Sequence, residues 1–192
     1  MSVMSLLSLL FENPIVFVVF MAVFMLALSV HEFSHALMAF LLGDRTAQRM
    51  QRLTLNPLAH IDPLGFFTLV VAGFGWGKPV PFNPYNLKYQ RWGPAMVAVA
   101  GPFSNLLFGT LLAFAYRLLF PLLGEGNLLI FFLAQGAFLN FLLMLFNLIP
   151  LAPLDGSKAL IAALTHERFR PLRTMVEVHG PYILIFLIIM DS

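Results

Sequence analysis

Long apolar runs divide the chain, and their lengths decide what each can do. Pro14 to Leu42, Pro94 to Phe120 and Leu128 to Ile149 are each long enough to cross a bilayer as a helix, which takes about 20 residues. A fourth run, Val178 to Met190, is shorter and stops at Asp191 and Ser192. It is expected to be a further span, making about four. Pro63 to Phe74 is different, because a helix of that length reaches only about 18 Å, short of the roughly 30 Å hydrocarbon layer. It leads into GFGWGKPVPFNP, where Gly and Pro disfavour regular helix. Irregular backbone at membrane depth survives only where it is packed in protein or lines a wet cavity. Pro63 to Pro84 is therefore expected to be a re-entrant or membrane-surface element, with a short β-hairpin as one form it can take. The expected fold class is an all-α integral membrane protein, with residues 1–192 as a single membrane-embedded domain.

Composition agrees with that pattern. The chain is 60% hydrophobic and 10% charged, whereas soluble domains carry about a quarter charged residues. With no cysteine there is no disulfide, thiolate zinc site or cysteine nucleophile. A net charge of +2 gives no ground for a nucleic-acid partner, and no nucleotide-binding module is expected either. The opening MSVMSLLSLLFENP lacks a basic n-region and a small-residue cleavage site, so it reads as an interfacial segment rather than a signal peptide. The lipid bilayer is the one partner that composition alone demands.

Charge then orients the spans. Arg45, Arg49 and Arg52 follow the first run, and Lys78, Lys88 and Arg91 follow the short one. Lys158, Arg168, Arg170 and Arg173 follow the third. The positive-inside rule makes all three loops cytoplasmic. The ends near Glu12 and Glu125 carry no such cluster, apart from Arg117 within the outer end of the second span. The parity works only if Pro63 to Phe74 does not cross. The N-terminus is then outside and the chain is a multi-pass protein of the cytoplasmic membrane.

The candidate chemistry sits in the first span. HEFSH, His31 to His35, places two imidazoles at i and i+4, on one helix face, where they can grip one metal ion. Glu32 lies beside them as a general base. The topology puts both histidines in the cytoplasmic half of an outside-to-inside span. The third span runs the same way and ends in NLIPLAPLDG, which delivers Asp155 to that side. Pro150 and Pro153 exclude an ordinary helix there, and Gly156 frees the backbone to aim the carboxylate sideways. Two histidines and a carboxylate leave one tetrahedral position open, the pattern of a catalytic zinc site. A pair of satisfied interior histidines is the bland alternative, but ionisable groups inside a membrane are costly and default to function. The active site is accordingly expected to face the cytoplasm.

The chain resembles the site-2 protease family of intramembrane zinc metalloproteases, in particular small bacterial members without a PDZ domain. The likeness is carried by SVHEFSHALMAFLLGD, RLTLNPLAHIDPLGF, GWGKPVPFNP, AGPFSNLL and FNLIPLAPLDGSKAL, in that order. The resemblance implies one Zn²⁺ per chain on His31, His35 and Asp155, with Glu32 as catalytic base. It makes Asn105 and Asn147 candidates for holding substrate or the oxyanion, although interhelical hydrogen bonding is an equal alternative for both. It also implies a membrane-anchored protein substrate cut in or near its transmembrane segment. A divalent-metal transporter using the same His/His/Asp set is the competing function. His60 reads as a turn residue, His166 and His179 as interfacial, and Trp76 and Trp92 as headgroup-level anchors.

Overall fold

The computed structural model describes residues 6–191, and its regular elements are all helices. Helix α1 covers Leu6–Glu12; the first five residues of the expected interfacial segment lie outside the described residues. Asn13 caps α2, Pro14–Leu41, by accepting from the Val16 N–H, and Pro14 occupies the first turn, where a missing N–H costs nothing. Short α3, Thr46–Arg49, follows, then α4, Pro63–Ala72. The remaining long helices are α5, Gly93–Leu123, and α6, Leu128–Asn147. Helix α7 is Asp155–Ala163, α8 is Arg170–Thr174 and α9 is Gly180–Asp191.

Helices α2, α5 and α6 are long and apolar enough to cross a membrane. Helix α5 packs between the other two, and α7 lies against α5. Their patterning is inverted relative to a soluble bundle. On α5, Phe103, Leu107, Leu111, Phe114 and Leu118 are exposed along one face, while Gly101, Asn105, Gly109 and Leu112 are buried on the other. On α2 the buried positions include His31, Glu32 and His35. Apolar side chains outward and polar ones inward is what a bilayer solvent selects.

The expected fourth span is α9, whose 12 residues reach about 18 Å and are too few to cross alone. Helical backbone begins earlier, at Arg170, and passes through a π-helical turn over Met175–His179. That stretch carries Arg170, Arg173, Glu177 and His179, so the helical segment leading into α9 is polar.

No hairpin forms in the Gly/Pro-rich stretch. Among the described residues pairing stops at an isolated bridge between Ile61 and Gly77, supported by Lys78 N–H donating to His60 C=O at 2.8 Å. Pro79 and Pro81 have no N–H to extend a ladder. The bridge nevertheless joins both flanks of α4, so α4 begins and ends on one side of the bundle. Asp62 caps its start through the Gly65 N–H, and Gly73 ends it at a φ of +73°. Backbone meets backbone here: a Cβ on Gly75 would lie 2.2 Å from Gly65 O, and one on Gly65 would lie 2.2 Å from Trp76 O.

The basic loops converge at one end. Lys88 N–H donates to Leu42 C=O at 2.8 Å, Arg52 Nη2 donates to Lys78 C=O, and Arg91 Nε donates to Ala162 C=O at 3.3 Å. Buried His60 pins its turn by hydrogen-bonding Thr54 C=O at 2.8 Å. The hub of this end is Asp44, fully buried. Its carboxylate accepts from the Thr46 N–H and hydroxyl, from Asn83 N–H at 2.7 Å and from Asn86 Nδ2 at 3.0 Å. Burial pushes the carboxyl pKa up, but these donors outweigh it and hold it below the usual carboxylate range.

Asp44→Ala is expected to lower stability in detergent by about 2–4 kcal/mol, since it leaves several buried donors unpaired. Because the folded pKa is depressed, the Asp44 contribution is fully present above about pH 4 and disappears as pH falls through the folded value. Thermal melts between pH 7 and 3 check both statements: wild type should lose more stability than Asp44→Ala across the acidic limb.

Candidate metal centre

Burying His31, Glu32 and His35 inside a three-helix core is tolerable only if every polar atom finds a partner. His35 Nδ1–H donates to Val97 C=O of α5 at 2.7 Å. His31 Nδ1–H donates to Asn105 Oδ1, also on α5. Both partners accept, so each Nδ1 carries a proton, and in the neutral imidazole each Nε2 then presents a lone pair. The two Nε2 atoms lie 3.0 Å apart. Asp155 Oδ2, from the first residue of α7, lies 3.2 Å from His31 Nε2 and 3.1 Å from His35 Nε2.

Three ligand atoms thus face one point. With zinc at its usual ligand distances, tetrahedral donors sit about 3.3 Å apart. The donor set therefore fits zinc in number, type and spacing. Asp155 Oδ1 is held separately by Lys158 Nζ at 3.3 Å, one helical turn along α7, and Lys158 also stands 5.9 Å from the Phe82 ring centre. Glu32 has a ligand-capable oxygen in the same neighbourhood. Its Oε2 accepts from Val80 N–H at 3.0 Å, so the Gly/Pro-rich segment grips the carboxylate directly.

Close approach of α5 makes this possible. A Cβ on Gly101 would lie 2.5 Å from His35 Nε2 and 2.7 Å from His31 Cε1. Gly156 has a related role: its Cβ would meet Leu148 O at 2.3 Å, so α7 starts tight against the end of α6. Gly156, expected to free the backbone for a turn, lies instead in the first turn of a helix, where absence of bulk is what matters.

Beside the donors lies a cavity of about 440 Å³. His31 and Glu32 form its polar wall, Phe24 and Leu69 line it, and Gly73 to Gly77 bring backbone to it. Asn147 also faces it, with Nδ2 donating to Leu143 C=O at 3.0 Å. Trp76, expected as a headgroup anchor, lines it as well. Asn105 does not. It is fully buried behind His31, with Nδ2 donating to Ala27 C=O at 3.2 Å and Asn140 Oδ1 at 2.7 Å. Sequence reasoning missed Gly101, Lys158 and Asn140. Asn140 left a signal, as one of three amide residues, with Gln135 and Asn147, inside a long apolar run.

Comparison with known proteins points the same way. Residues 123–190 match the profile of Peptidase family M50. Over 167 residues the chain is 38% identical to the Bacillus subtilis protein named "Putative zinc metalloprotease YwhC", covering 84% of this chain and 74% of that one. It is 33% identical over 185 residues to the Mycobacterium tuberculosis protein named "Putative zinc metalloprotease Rip2", covering 91% and 67% respectively. No solved structure matches.

Gly101→Ala is expected to weaken zinc binding by at least about tenfold, because the added methyl displaces both imidazoles. Chelator competition on the purified protein measures it; unchanged affinity would mean that α5 can retreat without cost.

Proposed function

The chain belongs to peptidase family M50, the site-2 protease family, and from that premise we propose that this zinc metalloprotease cuts membrane-anchored proteins in or near their transmembrane segments. His31, His35 and Asp155 hold one zinc per chain, and Glu32 is the general base. The observation that carries the reading is the meeting of three ligand atoms, from His31, His35 and Asp155, where His31 and Glu32 line an apolar cavity within a helix bundle of membrane-spanning length.

Zinc held there supplies a Lewis acid that makes water acidic near neutral pH and polarises a carbonyl. The side chains do the rest. Glu32 takes the proton of the attacking water and returns it to the departing amine nitrogen. Its Oε2 is occupied by Val80 N–H, which leaves Oε1 for the proton. Asn105 orients His31 rather than meeting substrate, and Asn147, facing the cavity, is the amide placed to touch the substrate backbone.

A helical peptide bond is shielded by its own hydrogen bonds, so substrate must open locally. We assign pairing of the opened strand to Gly75–Gly77. Lys78 N–H is committed to His60 and Val80 N–H to Glu32, while Pro79 and Pro81 have none. Gly75–Gly77 is also the part that lines the cavity. Apolar cavity walls suit the large side chains of a transmembrane segment. The basic loops gathered at the end nearest Asp155 support a site opening to the cytoplasm, in a protein of the cytoplasmic membrane.

Glu32→Gln is the decisive variant. It should keep one zinc per chain and lose about 10²–10⁴-fold in cleavage of a membrane-anchored peptide. His31→Ala, His35→Ala and Asp155→Ala should each lose the metal. Full cleavage by Glu32→Gln would remove the base assignment, and zinc flux into vesicles without cleavage would favour a transporter.

A further inference from the structure

We propose that Asn140 of α6 is a positioning residue for the metal centre: through Asn105 it sets which nitrogen of His31 carries the proton and where the ring points. The proposal rests on His31 being a zinc ligand. Asn140 does not touch the metal site, and its side chain is nearly inaccessible, at 1% exposed.

The hydrogen bonds allow one polarity. Asn140 Nδ2 donates to Gly136 C=O at 2.8 Å. A carbonyl only accepts, so that end of the amide is NH₂ and Oδ1 points at Asn105. Asn105 Nδ2 donates to that Oδ1 at 2.7 Å and to Ala27 C=O at 3.2 Å. Its own Oδ1 is then the atom left to face His31, which must answer with Nδ1–H. Reversing Asn105 would set oxygen against two acceptors. Two backbone carbonyls, on α6 and α2, thereby dictate a proton on Nδ1 of the imidazole and leave Nε2 as the nitrogen available to a metal.

Helix packing is arranged around this relay. Asn105 and Gly109 are one turn apart on α5, as Gly136 and Asn140 are on α6. A Cβ on Gly109 would lie 3.0 Å from the Asn140 Cβ, and one on Gly136 would lie 2.7 Å from Leu112 Cδ1. Each helix thus offers a glycine where close approach is needed. His35 has no such relay; its Nδ1–H goes to a backbone carbonyl. Asn140 should act on the site through His31 alone.

The test uses full-length protein in detergent, zinc affinity by chelator competition, and thermal melts of the zinc-stripped protein. Asn140→Leu should weaken zinc binding about 10–100-fold, the range typical of lost partners behind a metal ligand. Asn140→Leu added to Asn105→Leu should weaken binding no further, because the two act in series. Asn140→Ala withdraws the acceptor with a smaller side chain and should shift affinity in the same direction as Asn140→Leu, should the latter not fold. Melting temperature lowered with zinc affinity unchanged would overturn the proposal and leave Asn140 a packing residue. Additive losses in the double variant would also overturn it. Absence of zinc from wild type would instead sink the ligand assignment beneath it.

Discussion

The structure turns on one electrostatic constraint: two imidazole nitrogens and a carboxylate oxygen are held within about 3 Å of one another, away from bulk water. Such crowding of polar groups is costly unless each is held by partners. It persists because each imidazole has its outer nitrogen pinned by α5, and because the carboxylate has its second oxygen held by Lys158. A bound cation turns the same proximity from a liability into a site. The fold is best understood as the means of bringing three helices to that point.

Close approach is achieved by removing side chains as much as by choosing them. Gly101 admits α5 to the imidazoles, Gly156 admits α7 to the end of α6, and Gly65 and Gly75 let α4 meet the following extended segment. In a bilayer the surrounding lipid is as apolar as leucine, so helices gain little by burying apolar bulk. Short backbone distances and interhelical hydrogen bonds carry more of the association. The exposed phenylalanines and leucines of α5 face lipid, and the amides face protein.

The segment after α4 links cavity and chemistry. It is anchored to Asp44 through Asn83, to His60 through Lys78, and to Glu32 through Val80. The stretch lining the cavity is therefore mechanically continuous with the proposed base. Proline on either side of Val80 leaves that N–H isolated, and the carboxylate of Glu32 is its partner.

Much of this could be read in one dimension. Run lengths separated the spans from α4, the i, i+4 spacing of His31 and His35 put two nitrogens on one face, and charge parity brought Asp155 to their depth. These are properties of local geometry and of solvent, and both are written along the chain. Other features required the third dimension. Asn105 looked like a group for substrate, yet packing turns it to the back of His31; Asn140 and Lys158 gain their partners only when helices meet. The expected hairpin shrank to a single bridge because its partners are chosen by Asp44 and Glu32, far away in sequence. Periodicity and hydropathy determine which residues must be inside a membrane protein. Which of them face one another is decided by interhelical distance, and that is set by the glycines at each crossing.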